Sequence, residues 1–143
     1  VRVDPVDIQR LQQAVDQLTE MHDDSAPLNP VEVERAIRDA ANYVGRSVRI
    51  VNDALDRYRA ASREYDLAYA QELIDAPGAV ATKRYHAEIA TTQLRSERDA
   101  AEIAWQLADR LAAAASKCLT AYQSINKSIT TMFGAAGHMG QGG

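Results

Sequence analysis

The side chains that could do chemistry in this chain are few and far apart. Its histidines are His22, His86 and His138, one in each of three separate stretches. No two stand four residues apart and no Glu-x-x-His occurs, so the common ways of holding zinc or a di-iron centre on helices are missing. His86 and Glu88 are two residues apart, which on a helix turns them away from each other. Cys118 is the only cysteine. It excludes an intrachain disulfide and a cysteine-rich metal site, and it fits a reducing compartment. A nucleophilic cysteine needs a base beside it, and its sequence neighbours offer none. The expectation is a protein with no catalytic residue, no metal and no cofactor, hence not an enzyme.

Arginine is the residue type with suggestive spacing. Arg35, Arg46 and Arg57 recur every eleven residues, with Arg38 and Arg49 alongside. Eleven residues are close to three helical turns, so the guanidiniums form a ridge that could follow a phosphate backbone. Yet Asp53, Glu64 and Asp75 share almost the same azimuth, and Arg49–Asp53 and Asp53–Arg57 are i,i+4 pairs. Mixed signs describe an ion-paired, solvated face better than a nucleic-acid track. Arg35, Arg38, Arg46 and Arg49 stay as candidate nucleic-acid contacts, a binding mode that is not favoured. The tyrosines could serve as stacking platforms for single-stranded bases, but Tyr58, Tyr65 and Tyr69 fall on a packing seam.

That seam belongs to helices. A first helix, about 5–22, has Asp4 as cap and Pro5 at its first position, and Ile8, Leu11, Val15 and Leu18 make its apolar stripe. The stretch 23–30, with two prolines, ends it. Asn29-Pro30-Val31-Glu32 opens a second helix with N-cap, proline and capping-box signals in place. Nothing then stops it before Ala76-Pro77-Gly78, which predicts a helix over 30–75, about 70 Å long. A third helix is expected over 79–133, ended by Gly134, with 134–143 a flexible glycine-rich tail.

Val44, Val48, Val51, Leu55, Tyr58, Ser62, Tyr65 and Tyr69 alternate spacings of four and three. Leu107, Leu111, Cys118 and Ile125 hold the same frame on the third helix. An average period of 3.5 is the mark of left-handed coiled-coil packing. A short turn between two long helices makes them antiparallel, and counting outward from the turn sets the start of the second helix level with Ser124. The expected fold is all-α: a long antiparallel helical hairpin, with the extra N-terminal helix making a three-helix bundle at one end, in a single domain over 1–133.

Composition agrees. Hydrophobic residues make up 46% of the chain, but one Phe and one Trp are present and alanine supplies much of the remainder. Such a composition suits thin seams between close helices better than a deep core. A seam of Ala, Ser and Tyr buries little apolar area to offset the entropy of ordering, so pairing between chains is expected. The net charge of −4 gives no general attraction to nucleic acid or acidic lipid. No apolar run approaches the ~18 residues that would span a bilayer, and a cytoplasmic setting is expected.

Tyr65-Asp66-Leu67-Ala68-Tyr69-Ala70, the Pro77-Gly78 turn, Tyr85-His86-Ala87-Glu88-Ile89-Ala90-Thr91, Ala100-Ala101-Glu102 and Ser124-Ile125-Asn126-Lys127-Ser128 carry a resemblance. The span from Tyr58 to Met132 resembles small helical proteins encoded by tailed bacteriophages of actinobacterial and other Gram-positive hosts. These are often encoded among replication and recombination genes. The resemblance implies an accessory to phage DNA metabolism; with the heptad seam and no catalytic constellation, the expectation is a non-enzymatic, homo-oligomeric factor whose partners are itself and another phage or host protein. A virion or assembly component and a direct nucleic-acid binder are the alternatives.

Overall fold

The computed structural model describes residues 5–23 and 29–139. Among them are four helices and no strand: α1 (Pro5–Asp23), α2 (Pro30–Asp75), α3 (Val80–Ala90) and α4 (Thr92–Met139). Asp4, most of the connection before Asn29 and the last four glycine-rich positions lie outside the described residues. The chain divides into two compact units. The first comprises Val1–Ile8 and Arg49–Asp109, the second Gln9–Val48 and Arg110–Gly143.

The start of α2 is built as its sequence dictates. The Glu32 backbone N–H donates to Asn29 Oδ1 at 2.8 Å, and the Asn29 N–H donates back to Glu32 Oε2 at 3.4 Å. This reciprocal pair satisfies two N–H groups that a helix start leaves without an internal partner. At the other end Gly78 adopts a φ of 98°, a region that costs side-chain-bearing residues energy and glycine almost none. The chain can therefore reverse over Ala76–Ala79, with Ala76 buried beneath the turn.

The third predicted helix is two helices. Its break falls at Thr91, where φ is −103° and ψ is 11°. The Thr91 hydroxyl donates to the Ala87 carbonyl at 2.7 Å, and Thr92 does the same to Glu88 at 2.9 Å. Such back-bonding does not by itself break a helix, since Thr130 and Thr131 make the same bonds to Asn126 and Lys127 within an unbroken stretch of α4, and no Gly or Pro marks the break at Thr91. The break also consumes residues. Residue-for-residue counting from the turn would place Tyr58 opposite Glu97, yet Tyr58 stacks on Trp105, about two turns further along. Likewise Ala36 and Ala40 pack with Tyr122 and Ile125, so the start of α2 lies beyond the level of Ser124.

At the C-terminal end Gly134 does not stop α4, which continues to Met139. The expected boundary at 133 is corrected accordingly. Gly134 keeps a negative φ, and the intrinsic cost of a helical glycine, about 1 kcal/mol, does not end a helix whose next residues are alanines.

In both units α2 packs closely against α4, but the buried line is not the large-residue seam. Val48 is 58% exposed and Leu107 is 39% exposed. Their neighbours Ser47 and Ala108 are buried instead, as are Ala40 and Ala54 on α2 and Ala101 and Ala115 on α4. These small residues recur every seven positions. Where two helices approach most closely only small side chains fit between the backbones. A search for large apolar residues therefore lands one position off the line of closest approach. Val44, Val51, Leu55, Tyr58, Tyr65, Tyr69, Cys118 and Ile125 flank that line and are half-buried, while Leu111 is buried.

Candidate interaction surface

The first unit holds the main concentration of side chains with binding potential. Tyr58 of α2 and Trp105 of α4 lie face to face, with ring centroids 5.7 Å apart and planes 6° from parallel. Two turns along α2, Tyr65 sits beneath the guanidinium of Arg98, which is 4.6 Å from the ring centroid. Arg95 donates to the Tyr65 hydroxyl at 3.2 Å. Tyr69 leans on Tyr65 at 5.9 Å. Each contact ties α2 to α4, or one turn of α2 to the next, through half-buried rings. The hydrogen bond to the Tyr65 hydroxyl, first among its causes, holds Arg95 above its ordinary range; for Arg98 the first cause is its bond to Asp99. Both guanidiniums stay charged at any physiological pH.

This arrangement turns the distal tyrosines into anchors. A flat ring over a guanidinium contributes about 0.5–1 kcal/mol at an exposed site, and stacked aromatics give a similar amount beyond their burial. His86 Nε2 approaches Glu72 Oε2 at 3.4 Å and fastens α3 to α2. Ser62 carries a buried hydroxyl without a hydrogen-bond partner, a net cost in a seam this thin.

Beside the aromatics runs an open groove of about 680 Å³. Its floor is alanine: Ala54 and Ala61 from α2, Ala101 and Ala104 from α4. Arg57, Glu64 and Glu97 supply its charges, and Ile8 of α1 lines its edge. Leu67 and Ile74, 73% and 72% exposed, follow groove-lining Ala60 at seven-residue intervals on α2. The wall of the groove thus continues as an apolar row.

Compared with known protein families, characterised proteins and solved structures, the chain matches none.

In the second unit, Tyr122 is fully buried against Ala36 and Ala40, with Ile37, Tyr43, Cys118, Leu119 and Ile125 around them. Burial first, and then the neighbouring Cys118, push the Tyr122 phenol above its ordinary value. Cys118 packs as a small apolar side chain here. From α1, Leu11, Ala14 and Val15 are buried in this unit and Ile8 in the first; the Leu18 side chain lies outside the described residues.

Of the candidate nucleic-acid arginines, Arg35, Arg38 and Arg46 fall in the second unit and Arg49 in the first, all exposed. Arg38 pairs with Glu34 at 3.0 Å along its own helix. Among the described residues, no group of three metal-ligating side chains gathers, and no helix is long and apolar enough to cross a membrane. Sequence reasoning missed the Trp105 and Arg98 contacts. Their only signal was the register of the two helices, which the break at Thr91 displaced.

Proposed function

We propose that this chain is a non-enzymatic helical interaction protein that works as a homo-oligomer and engages a second protein through its exposed helical faces. The observation that carries the reading is the alanine-floored groove of the first unit with its continuing row, Leu67 and Ile74. Soluble chains rarely leave large aliphatics exposed in a regular row beside a concave face without a partner for them. The finer architecture belongs to the same reading: α2 and α4 form an antiparallel coiled-coil hairpin, and α1 completes a three-helix bundle in the second unit through Leu11, Ala14 and Val15.

The process is drawn from the resemblance to small phage helical proteins. The chain acts in the cytoplasm of an infected host as an accessory to replication or recombination proteins. Direct nucleic-acid binding has less support, because Arg38 already engages Glu34 and the arginine ridge is interleaved with Asp53, Glu64 and Asp75. The test joins native mass measurement with capture of purified phage replication and recombination proteins. An oligomeric mass and one saturable partner are expected. A monomer at every concentration, or salt-sensitive binding to DNA in place of a protein partner, overturns the reading.

A further inference from the structure

We propose that the groove of the first unit is closed by the chain's own residues Val1–Asp4, with Arg2 set between Glu64 and Glu97. This rests on the reading of that groove as a binding face and names what holds it before a second protein arrives.

Direction and length follow from the helices. The first unit takes in α1 as far as Ile8 and α2 from Arg49 onward. Both helices cross the edge of the unit there, so the residues before Ile8 run inward from that edge, along the groove that Ile8 itself lines. On α2 the groove extends from Ala54 to Glu64, about 15 Å at 1.5 Å per residue. Pro5–Asp7 rise about 4.5 Å as helix, and four extended residues before them add up to ~13 Å. The segment is therefore long enough to reach Glu64. Leu67 and Ile74, further along α2, stay open to a second protein.

The chemistry of the segment matches the groove. Val1 and Val3 are branched side chains for a floor of Ala54, Ala61, Ala101 and Ala104, whose small side chains leave depth above them. The unmet charge of the walls is negative. Arg57 already has a partner within the chain. Glu97 accepts a hydrogen bond from the neutral Gln93 at 3.1 Å, and among the described residues neither Glu64 nor Glu97 forms an ion pair. The seating of Arg98 over Tyr65 sets these two carboxylates, one on each wall, close to one level. A guanidinium carries five donors in a planar fork and can bridge them. Arg2 is the one basic side chain of the segment. Tethered by α1, it is present at an effective concentration in the millimolar range, which a second copy or another protein must exceed. The groove is filled in cis, and a partner that takes Leu67 and Ile74 gains the alanine floor only by displacing Val1–Asp4.

The experiment is disulfide trapping in the full chain, with Cys118→Ser removing the native thiol and circular dichroism confirming helicity. Val3→Cys with Ala100→Cys tests the groove. Val3→Cys with Gln106→Cys, exposed and outside the groove, is the reference pair. The groove pair is expected to close within one chain at least about tenfold faster than the reference, since a disulfide needs Cα atoms within about 7 Å. Arg2→Glu should slow that closure at least about threefold, and adding Glu64→Arg and Glu97→Arg should restore it. A groove pair no faster than the reference, or linked only between chains, overturns the proposal; so does a rate indifferent to Arg2→Glu. Capture of a second protein is scored separately, so either failure leaves the reading of the groove as a binding face to stand or fall on that result.

Discussion

The two units use the same pair of helices in different ways. In the second, a whole aromatic side chain, Tyr122, is buried against alanines, and Val33, one heptad before Ala40 on α2, is also fully enclosed. In the first, the deepest positions are alanines and a threonine, and no aromatic side chain is fully buried. Burial of a large side chain contributes about 1.5–3 kcal/mol, against a fraction of that for an alanine methyl. The second unit therefore holds itself by burial. The first relies on ring stacking, guanidinium contacts and the close fit of small residues. Low local stability and an open binding face tend to coincide, because both follow from few buried apolar contacts.

The comparison breaks most readily at Tyr122. Tyr122→Ala should cost about 3–5 kcal/mol, as other large aromatic truncations in cores do, measured by urea unfolding. A loss below ~1 kcal/mol would put the second unit on the same footing as the first. Trp105→Ala removes a half-buried ring and one stacking partner, so a smaller loss of about 1–2 kcal/mol is expected. Hydrogen exchange should then quicken around Tyr58 and leave Ala36 and Ala40 protected.

A pH series sharpens the contrast. Tyr122 has its folded pKa raised above the ordinary 10.0, chiefly by burial. The stability this provides is fully present below pH 10.0. Above it the unfolded chain releases the proton more readily, so stability falls as pH climbs toward and through the folded pKa. Tyr122→Phe should flatten this alkaline loss, and an unchanged slope would assign it to other groups. The smallest expected effect is of opposite sign. Ser62→Ala removes the buried hydroxyl without a partner and should stabilise the chain by up to about 1 kcal/mol. A destabilised Ser62→Ala would mean that the hydroxyl is satisfied in solution.

Much of the fold was legible. The Asn29–Glu32 capping box, the Pro77-Gly78 turn and two long helices follow from local signals whose physics is confined to a few residues. The seam was legible in period and not in phase. Hydrophobicity marks Val48 and Leu55, while close helix packing selects Ser47 and Ala54, and those criteria differ by one residue. The break at Thr91 was hidden because no Gly or Pro marks it, and Thr130-Thr131, with the same hydroxyl bonds, leave α4 unbroken. That one event shifts every α2–α4 pairing beyond it, which is why neither the Tyr58–Trp105 stack nor the Tyr65–Arg98 contact could be read in advance. The groove follows from both: its residues are unremarkable singly, and only the register gathers Arg57, Glu64 and Glu97 around one alanine floor.

The account depends on that register. Spin labels at exposed Arg59 and Gln106, each the next residue after a stacked ring, would report it directly when labelled chains are diluted into unlabelled ones. Helices packed at an interaxial distance near 8–10 Å should give a single narrow distance of about 20 Å or less. A broad distribution, or a shorter separation from Arg59 to Arg98 than to Gln106, would contradict it.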